Sequence, residues 1–238
     1  MKHTIADNLR ELRGRIAEAC EEFDRDADDI TIVAVTKTFP ADTIQKAVAV
    51  GMYDIGESKV QEAELKINQL GHIARYHLVG HLQSNKVKKA VQLFDVIQSV
   101  DSLPLAQEIS RRAGELDRII ECYIEVNSSG EPQKYGIPPD RVLDLVEHVK
   151  ALPNIRLSGL MTVGPLTDDE DKVRDAFKLV HGLFHQAQEI AGDQFDVLSM
   201  GMSDDFKLAI AEGSTMIRIG TGIFGARGKS DKSQPDSE

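Results

Sequence analysis

The chain has no basic surplus: Lys and Arg total 28 against 39 Asp and Glu, a formal net charge of −11. That balance argues against a nucleic acid held through a broad basic surface and leaves room only for a local positive pocket that takes a small anion. Cysteine is nearly missing. Cys20 falls in a polar helical stretch and Cys122 in an apolar strand, a spacing that offers neither a disulfide framework nor a metal-ligand cluster and fits a cytoplasmic setting. Long hydrophobic runs are missing too, so no segment reads as a membrane span. The N-terminal stretch MKHTIADNLRELRGRIAEACEEFDRD alternates charge with Leu and Ile at helical spacing, which fits neither a signal peptide nor a transmembrane helix. No internal repeat is found.

What is present is a core. With 41% hydrophobic residues in 238, the chain suffices for one large α/β domain, read here as residues 1–228, followed by a polar, disordered tail at 229–238. The stretch ITIVAVTKT, residues 30–38, is a near-continuous run of β-branched and small apolar residues, as in a strand covered on both faces. It ends in Lys37, which by strand alternation shares a face with Val33 and Val35. A helix from about Ile5 to Phe23 precedes it and is expected to pack beneath or across it. Helical and strand patterns then alternate: strands at 53–56, 76–82, 95–100, 118–126, 155–163, 195–200 and 216–219, separated by helices at 41–50, to 70, 83–94, 103–116, 139–152, 169–190 and 203–212, the last capped by Ser203. Eight such units without a linker predict a single (β/α)8 TIM barrel with an extra N-terminal helix.

In such barrels the chemistry sits at the C-terminal ends of the strands. An ammonium among apolar neighbours there loses hydration, and its free amine becomes able to attack a carbonyl, as in Schiff-base formation. The plainer alternative is a strand-end lysine that reaches solvent or pairs with a carboxylate. After strands seven and eight, Ser199, Gly201, Ser203, Gly220, Thr221 and Gly222 offer hydroxyls and close-approach backbone amides suited to a phosphate ester, or simply the turns that close the barrel. GTGIFG (220–225) matches a dinucleotide fingerprint literally but opens no βαβ unit. Arg218 is expected to point into the barrel. The pairs His77 and His81, and His181 and His185, lack a third ligand at a telling spacing, so no metal site is expected. Glu57, Glu125, Asn127 and Ser128 lie near strand ends, suited to proton transfer or to loop capping. The lysines around Lys86 form a solvated helix face.

VAVTKT, GESKVQE (56–62), HLVGHLQSNK (77–86), GLMTVG (159–164), LSMGMSDD (198–205) and STMIRIGTGIFGAR (214–227) occur in an order that resembles the pyridoxal phosphate homeostasis protein family, also called the PLP-binding protein or proline synthetase co-transcribed homologue family. Ser58 and Lys59 stand where that family's motif has asparagine and an aromatic or arginine. The resemblance implies a fold type III barrel like the N-terminal domain of alanine racemase, with pyridoxal 5′-phosphate (PLP) held as an aldimine on Lys37. It places Ser199, Gly220 and Thr221 at the phosphate, Arg218 near the pyridine nitrogen, and Ser58, Met161 and Ser203 in the same site. It further implies a carrier and regulator in intracellular PLP homeostasis, without dedicated amino-acid turnover, that serves apo PLP enzymes. An acidic single barrel with no sticky stripe suggests a monomer. The readings set beside it are a PLP-dependent racemase or lyase, a Schiff-base aldolase that uses Lys37 without PLP, and a cofactor-free interaction protein.

Overall fold

The computed structural model describes residues 4–131 and 133–225, so Arg227 and the polar tail expected from 229 lie outside the described residues. Eight parallel strands close into a barrel in sequence order: β1 (Thr31–Val35), β2 (Asp54–Glu57), β3 (Arg75–Leu78), β4 (Val96–Val100), β5 (Ile120–Val126), β6 (Ile155–Thr162), β7 (Val197–Ser199) and β8 (Met216–Ile219). Helices follow in alternation: α1 (Ile5–Glu22) before β1, then α2 (Ala41–Ala49), α3 (Val60–Leu70), α4 (Val87–Leu93), α5 (Leu103–Gly114), α6 (Val142–Val149), α7 (Glu170–Ala191), α8 (Phe206–Ala211), and a one-turn α9 (Thr221–Phe224) after β8. None of the described helices is long and apolar enough to cross a membrane.

Strand alternation divides the apolar residues into two layers. Ala34, Ile55, Leu78, Ile97, Cys122, Ile124, Leu160, Leu198, Ile217 and Ile219 join the large core between barrel and helices, while Val33, Val96, Tyr123, Met161 and Met216 fill the barrel interior. The interior is not apolar throughout. Asp54 Oδ1 lies 2.9 Å from His77 Nε2, Gln98 Nε2 3.0 Å from His77 Nδ1, and the Ser199 hydroxyl donates to Gln98 Oε1 at 2.8 Å. Burial holds His77 below the ordinary imidazole range, so a neutral ring donates from Nε2 to Asp54 and accepts at Nδ1 from Gln98. A satisfied polar row of this kind specifies one interior arrangement, because each member left unpaired in a dry barrel costs about 1–3 kcal/mol.

Several elements differ from expectation for identifiable reasons. β1 stops at Val35 because the Phe39 amide donates back to the Thr36 carbonyl (3.0 Å) and Thr38 turns to a φ of +68°. β3 stops at Leu78, where the loop at Gly80 presses on the end of β2: an added Cβ would stand 2.4 Å from the Ser58 carbonyl oxygen. Helix α8 begins at Phe206 rather than Ser203, after a loop in which Gly201 has a φ of +96° and the Met202 amide donates to Asp205. Helix α1, opened by a Thr4–Asp7 capping box, packs on α8 and α9, its Arg13 and Ile16 lie beside Ile30, Thr31 and Ile32 at the start of β1, and Asn8 donates to the Ile223 carbonyl at 2.8 Å.

The β6 and β7 backbones meet so closely that a Cβ on Gly159 would stand 1.8 Å from the Val197 carbonyl oxygen. Gly159→Ala is therefore expected to lower the unfolding free energy by about 3 kcal/mol in urea titrations. Gly14→Ala, in open space within α1, is expected to raise it by up to about 1 kcal/mol.

Candidate functional site

At the C-terminal ends of the strands a cleft of about 340 Å³ opens between the segments after β1, β2, β3, β6, β7 and β8. Its walls carry Val35, Phe39 and Val79 on the apolar side and Lys37, Ser58, Ser203, Asp204, Arg218, Gly220 and Thr221 on the polar side. Its volume lies within the ordinary range for small-molecule sites, and apolar walls with a few convergent polar groups are their usual lining. Lys37 is half-buried in the turn just past β1, two residues beyond Val35, and both residues line the cleft.

The turn itself is gripped from below. Lys66, a buried ammonium on α3, donates to the Thr36 carbonyl (2.7 Å), to Glu57 Oε1 (2.6 Å) and to Glu62 Oε1 (2.7 Å). The Thr36 hydroxyl donates to the same Glu57 oxygen at 2.5 Å, and the Thr38 amide donates to Glu62. Burial pushes the Glu57 carboxyl up against the opposing pull of Lys66 and Thr36. None of the sequence patterns pointed to Lys66; the available signal was a lysine four residues after Glu62 on the inward side of an amphipathic helix.

On the opposite wall, β8 delivers Arg218, Gly220 and Thr221 in succession, and α9 begins at Thr221. The Ile223 and Phe224 amides donate to the Gly220 carbonyl, and the Gly222 amide turns to the loop after β7, where the Ser203 hydroxyl accepts from it at 3.4 Å. A Cβ on Gly222 would approach Ile219 Cγ2 at 3.0 Å and Ser203 Oγ at 3.7 Å, so the bare backbone keeps the cradle open. Gly225 caps this single turn with a φ of +80°, which is not the long following helix of a dinucleotide fold.

Arg218 forms the floor. It is 5% exposed, and its Nη1 donates to the Ser199 carbonyl (2.8 Å) and hydroxyl (2.7 Å) while Nη2 donates to the Thr162 carbonyl (2.7 Å). Burial pushes the guanidinium down to about 10, against the pull of Asp205 and Glu125, so it stays cationic at neutral pH. Asp205 is itself pushed up by burial. Glu125 is more strongly affected. Burial drives its carboxyl up to about 7, Arg218 pulls it back and Asp101 adds to the rise, and Oε2 has no hydrogen-bond partner among the described residues.

The folded chain thus holds a proton on Glu125 above the ordinary carboxyl value of 4.5, and stability is lost as pH rises from there through about 7. Glu125→Gln keeps the shape without the charge. It is expected to stabilise the fold by about 2 kcal/mol at pH 8 and by less than about 1 kcal/mol at pH 5, read from urea unfolding at both values.

Six of the eight residues expected at the site, Lys37, Ser58, Ser203, Arg218, Gly220 and Thr221, line the one cleft. The other two lie below it. Ser199 is fully buried beneath Arg218, and its hydroxyl donates to Gln98 and accepts from Arg218. Met161 is fully buried in the interior layer with Val33 and Tyr123. Asn127 donates to the Glu131 and Lys134 carbonyls and Ser128 bonds to Thr162 (2.8 Å), which organises the loop after β5. His181 and His185 meet at 2.8 Å on α7, and the described residues hold no group of three or more candidate metal ligands.

The family model described as the alanine racemase N-terminal domain matches residues 4–228. The pyridoxal phosphate homeostasis protein of Pasteurella multocida is 38% identical over 228 residues, 94% of this chain and 98% of that one. Its counterpart in Pseudomonas aeruginosa is 40% identical over 229 residues, 94% and 96% of the two chains. Among solved structures, PipY of Synechococcus elongatus with PLP bound superposes with a TM-score of 0.81 at 34% identity, covering 93% of this chain and all of that one. The ordered motifs, the closed eight-stranded barrel and these full-length matches agree: the chain belongs to the pyridoxal phosphate homeostasis protein family, built on the alanine racemase N-terminal domain fold.

Proposed function

We propose that the chain binds PLP reversibly in the cleft above Arg218 and serves intracellular PLP homeostasis as a monomeric, cytoplasmic carrier that supplies apo PLP enzymes, without dedicated turnover of amino acids. The observation that carries this reading is the meeting of one amine, Lys37, with an anion cradle of Ser203, Gly220 and Thr221 across a single small cleft. The residues fit the group: the cradle is kept open by glycine, and the apolar walls suit an aromatic ring. PLP, when bound, supplies an aldehyde carbon open to a primary amine and a pyridine ring that can delocalise charge.

Lys37 would provide that amine, held in place by the turn that follows β1. Ser203 and Thr221 would donate hydroxyl hydrogen bonds to the phosphate, helped by the amides that open α9. Arg218 would present a permanent cation, a donor that leaves the pyridine nitrogen unprotonated and weakens the ring as an electron sink. Val35, Phe39 and Val79 would shield the ring edge from water. Among the described residues that line the cleft, Asp204 is the only candidate acid or base other than Lys37, since no histidine, tyrosine or cysteine lines it. Racemisation calls for proton transfer on both faces of the substrate, so this lining favours storage and delivery over turnover.

The test combines uptake with turnover. Titration of the protein with PLP is expected to give a saturable one-to-one visible absorbance, transfer of the cofactor to an added apo-enzyme, and no amino-acid racemisation or elimination above the rate of free PLP. Steady turnover well above that rate would favour the racemase or lyase reading.

A further inference from the structure

Lys37 sits in a turn that ordinary backbone preferences oppose. Thr38, β-branched, adopts a φ of +68°, a left-handed conformation that such residues rarely take unless their surroundings impose it. The imposing groups are on the page. Lys66 Nζ holds the carbonyl of Thr36 at 2.7 Å, on the N-terminal side of Lys37, and Glu62 accepts the amide of Thr38, on its C-terminal side. Lys66 also bridges the two carboxylates, Glu57 at 2.6 Å and Glu62 at 2.7 Å, so both grips form one charge-assisted unit anchored to β2 and α3.

We propose that Lys66 and Glu62 are positioning residues that clamp the peptide units on either side of Lys37 and set the direction in which its amine enters the cleft, an inference that rests on Lys37 being the group that captures PLP. Neither side chain lines the cleft, so neither touches the cofactor. Their effect passes through the backbone, where a misplacement of about 1 Å is enough to cost one to two orders of magnitude in a reaction that depends on approach geometry. Removing Lys66 also leaves Glu57 buried without its ammonium, which endangers folding. Glu62 is partly exposed, and its removal leaves the Lys66–Glu57 pair in place.

The experiment uses the full-length protein as wild type, Lys66→Met, Glu62→Ala, and Lys46→Met as a control that breaks a surface pair with Asp42. Hydrogen exchange of the Thr38 and Phe39 amides is measured without cofactor, and the rate of PLP capture is followed by visible absorbance across pH. Both amides are expected to exchange at least about tenfold faster in Glu62→Ala, with core strand amides unchanged, and capture is expected to slow by about tenfold or more. Lys66→Met is expected to do the same or to fail to fold, in which case Glu62→Ala decides. Wild-type exchange in Glu62→Ala, or faster exchange with an unaltered capture rate, overturns the proposal. If the wild type takes up no PLP, the functional reading fails instead, and the inference about capture falls with it even where the exchange data show a clamped turn.

Discussion

Lys37→Ala is expected to abolish the absorbance band of the lysine–PLP adduct and to weaken PLP retention by roughly a hundredfold. Ser203, Thr221 and the α9 amides would still hold the phosphate, so weak binding remains while the fraction that borohydride fixes covalently to the protein falls to zero. The fold should survive, because the turn at Lys37 lies outside the strand ladder and the pairs of Ala34 with Ile55 and Ile219 are formed beneath it. Circular dichroism and equilibrium dialysis on the variant separate the two effects. A variant that keeps a borohydride-fixed adduct would place the amine elsewhere.

The second large effect belongs to the floor of the cleft. Arg218→Leu removes the donors to the Ser199 carbonyl and hydroxyl and to the Thr162 carbonyl, all at fully buried residues, and is expected to cost about 3–5 kcal/mol of unfolding free energy. The loss should grow with pH. Glu125 and Asp205 already sit above ordinary carboxyl values, and without the Arg218 cation both rise further. Their folded forms then hold protons that the unfolded chain has released, so stability drains away between about pH 4 and 8 as the pH rises. Arg218→Lys keeps the charge but loses the fork, and an intermediate loss is expected. Urea titrations at pH 5 and 8 measure both variants. A change below about 1 kcal/mol for Arg218→Leu would show that the hydrogen bonds of Arg218 to Ser199 and Thr162 do not hold the strand ends together.

Much of this arrangement was legible in the sequence, and the parts that were not share a physical origin. The β/α alternation follows from local periodicity, and the face of Lys37 follows from counting in twos from Val33, so barrel and amine were both accessible without coordinates. The Gly and hydroxyl content of the loops after β7 and β8 likewise pointed to an anion site, and the structure brings Ser203, Gly220 and Thr221 to one wall. The bonds of Ser199 were not legible because its partners are remote: Gln98 lies 101 residues away and Arg218 is 19 residues on, and no local pattern announces either bond. Lys66 was invisible for the same reason, since its value lies in reaching the Thr36 carbonyl across thirty residues of chain. The packing of α1 on α8 and α9 was likewise not legible, because an amphipathic stripe states that a face is buried without stating against what.

The measurement that bears most directly on the account is peptide mapping by mass spectrometry after borohydride reduction of the PLP-loaded protein. The account predicts a single pyridoxyl phosphate adduct, on the peptide that contains Lys37, with stoichiometry near one per chain. An adduct on another lysine, or none after saturation with PLP, would contradict it.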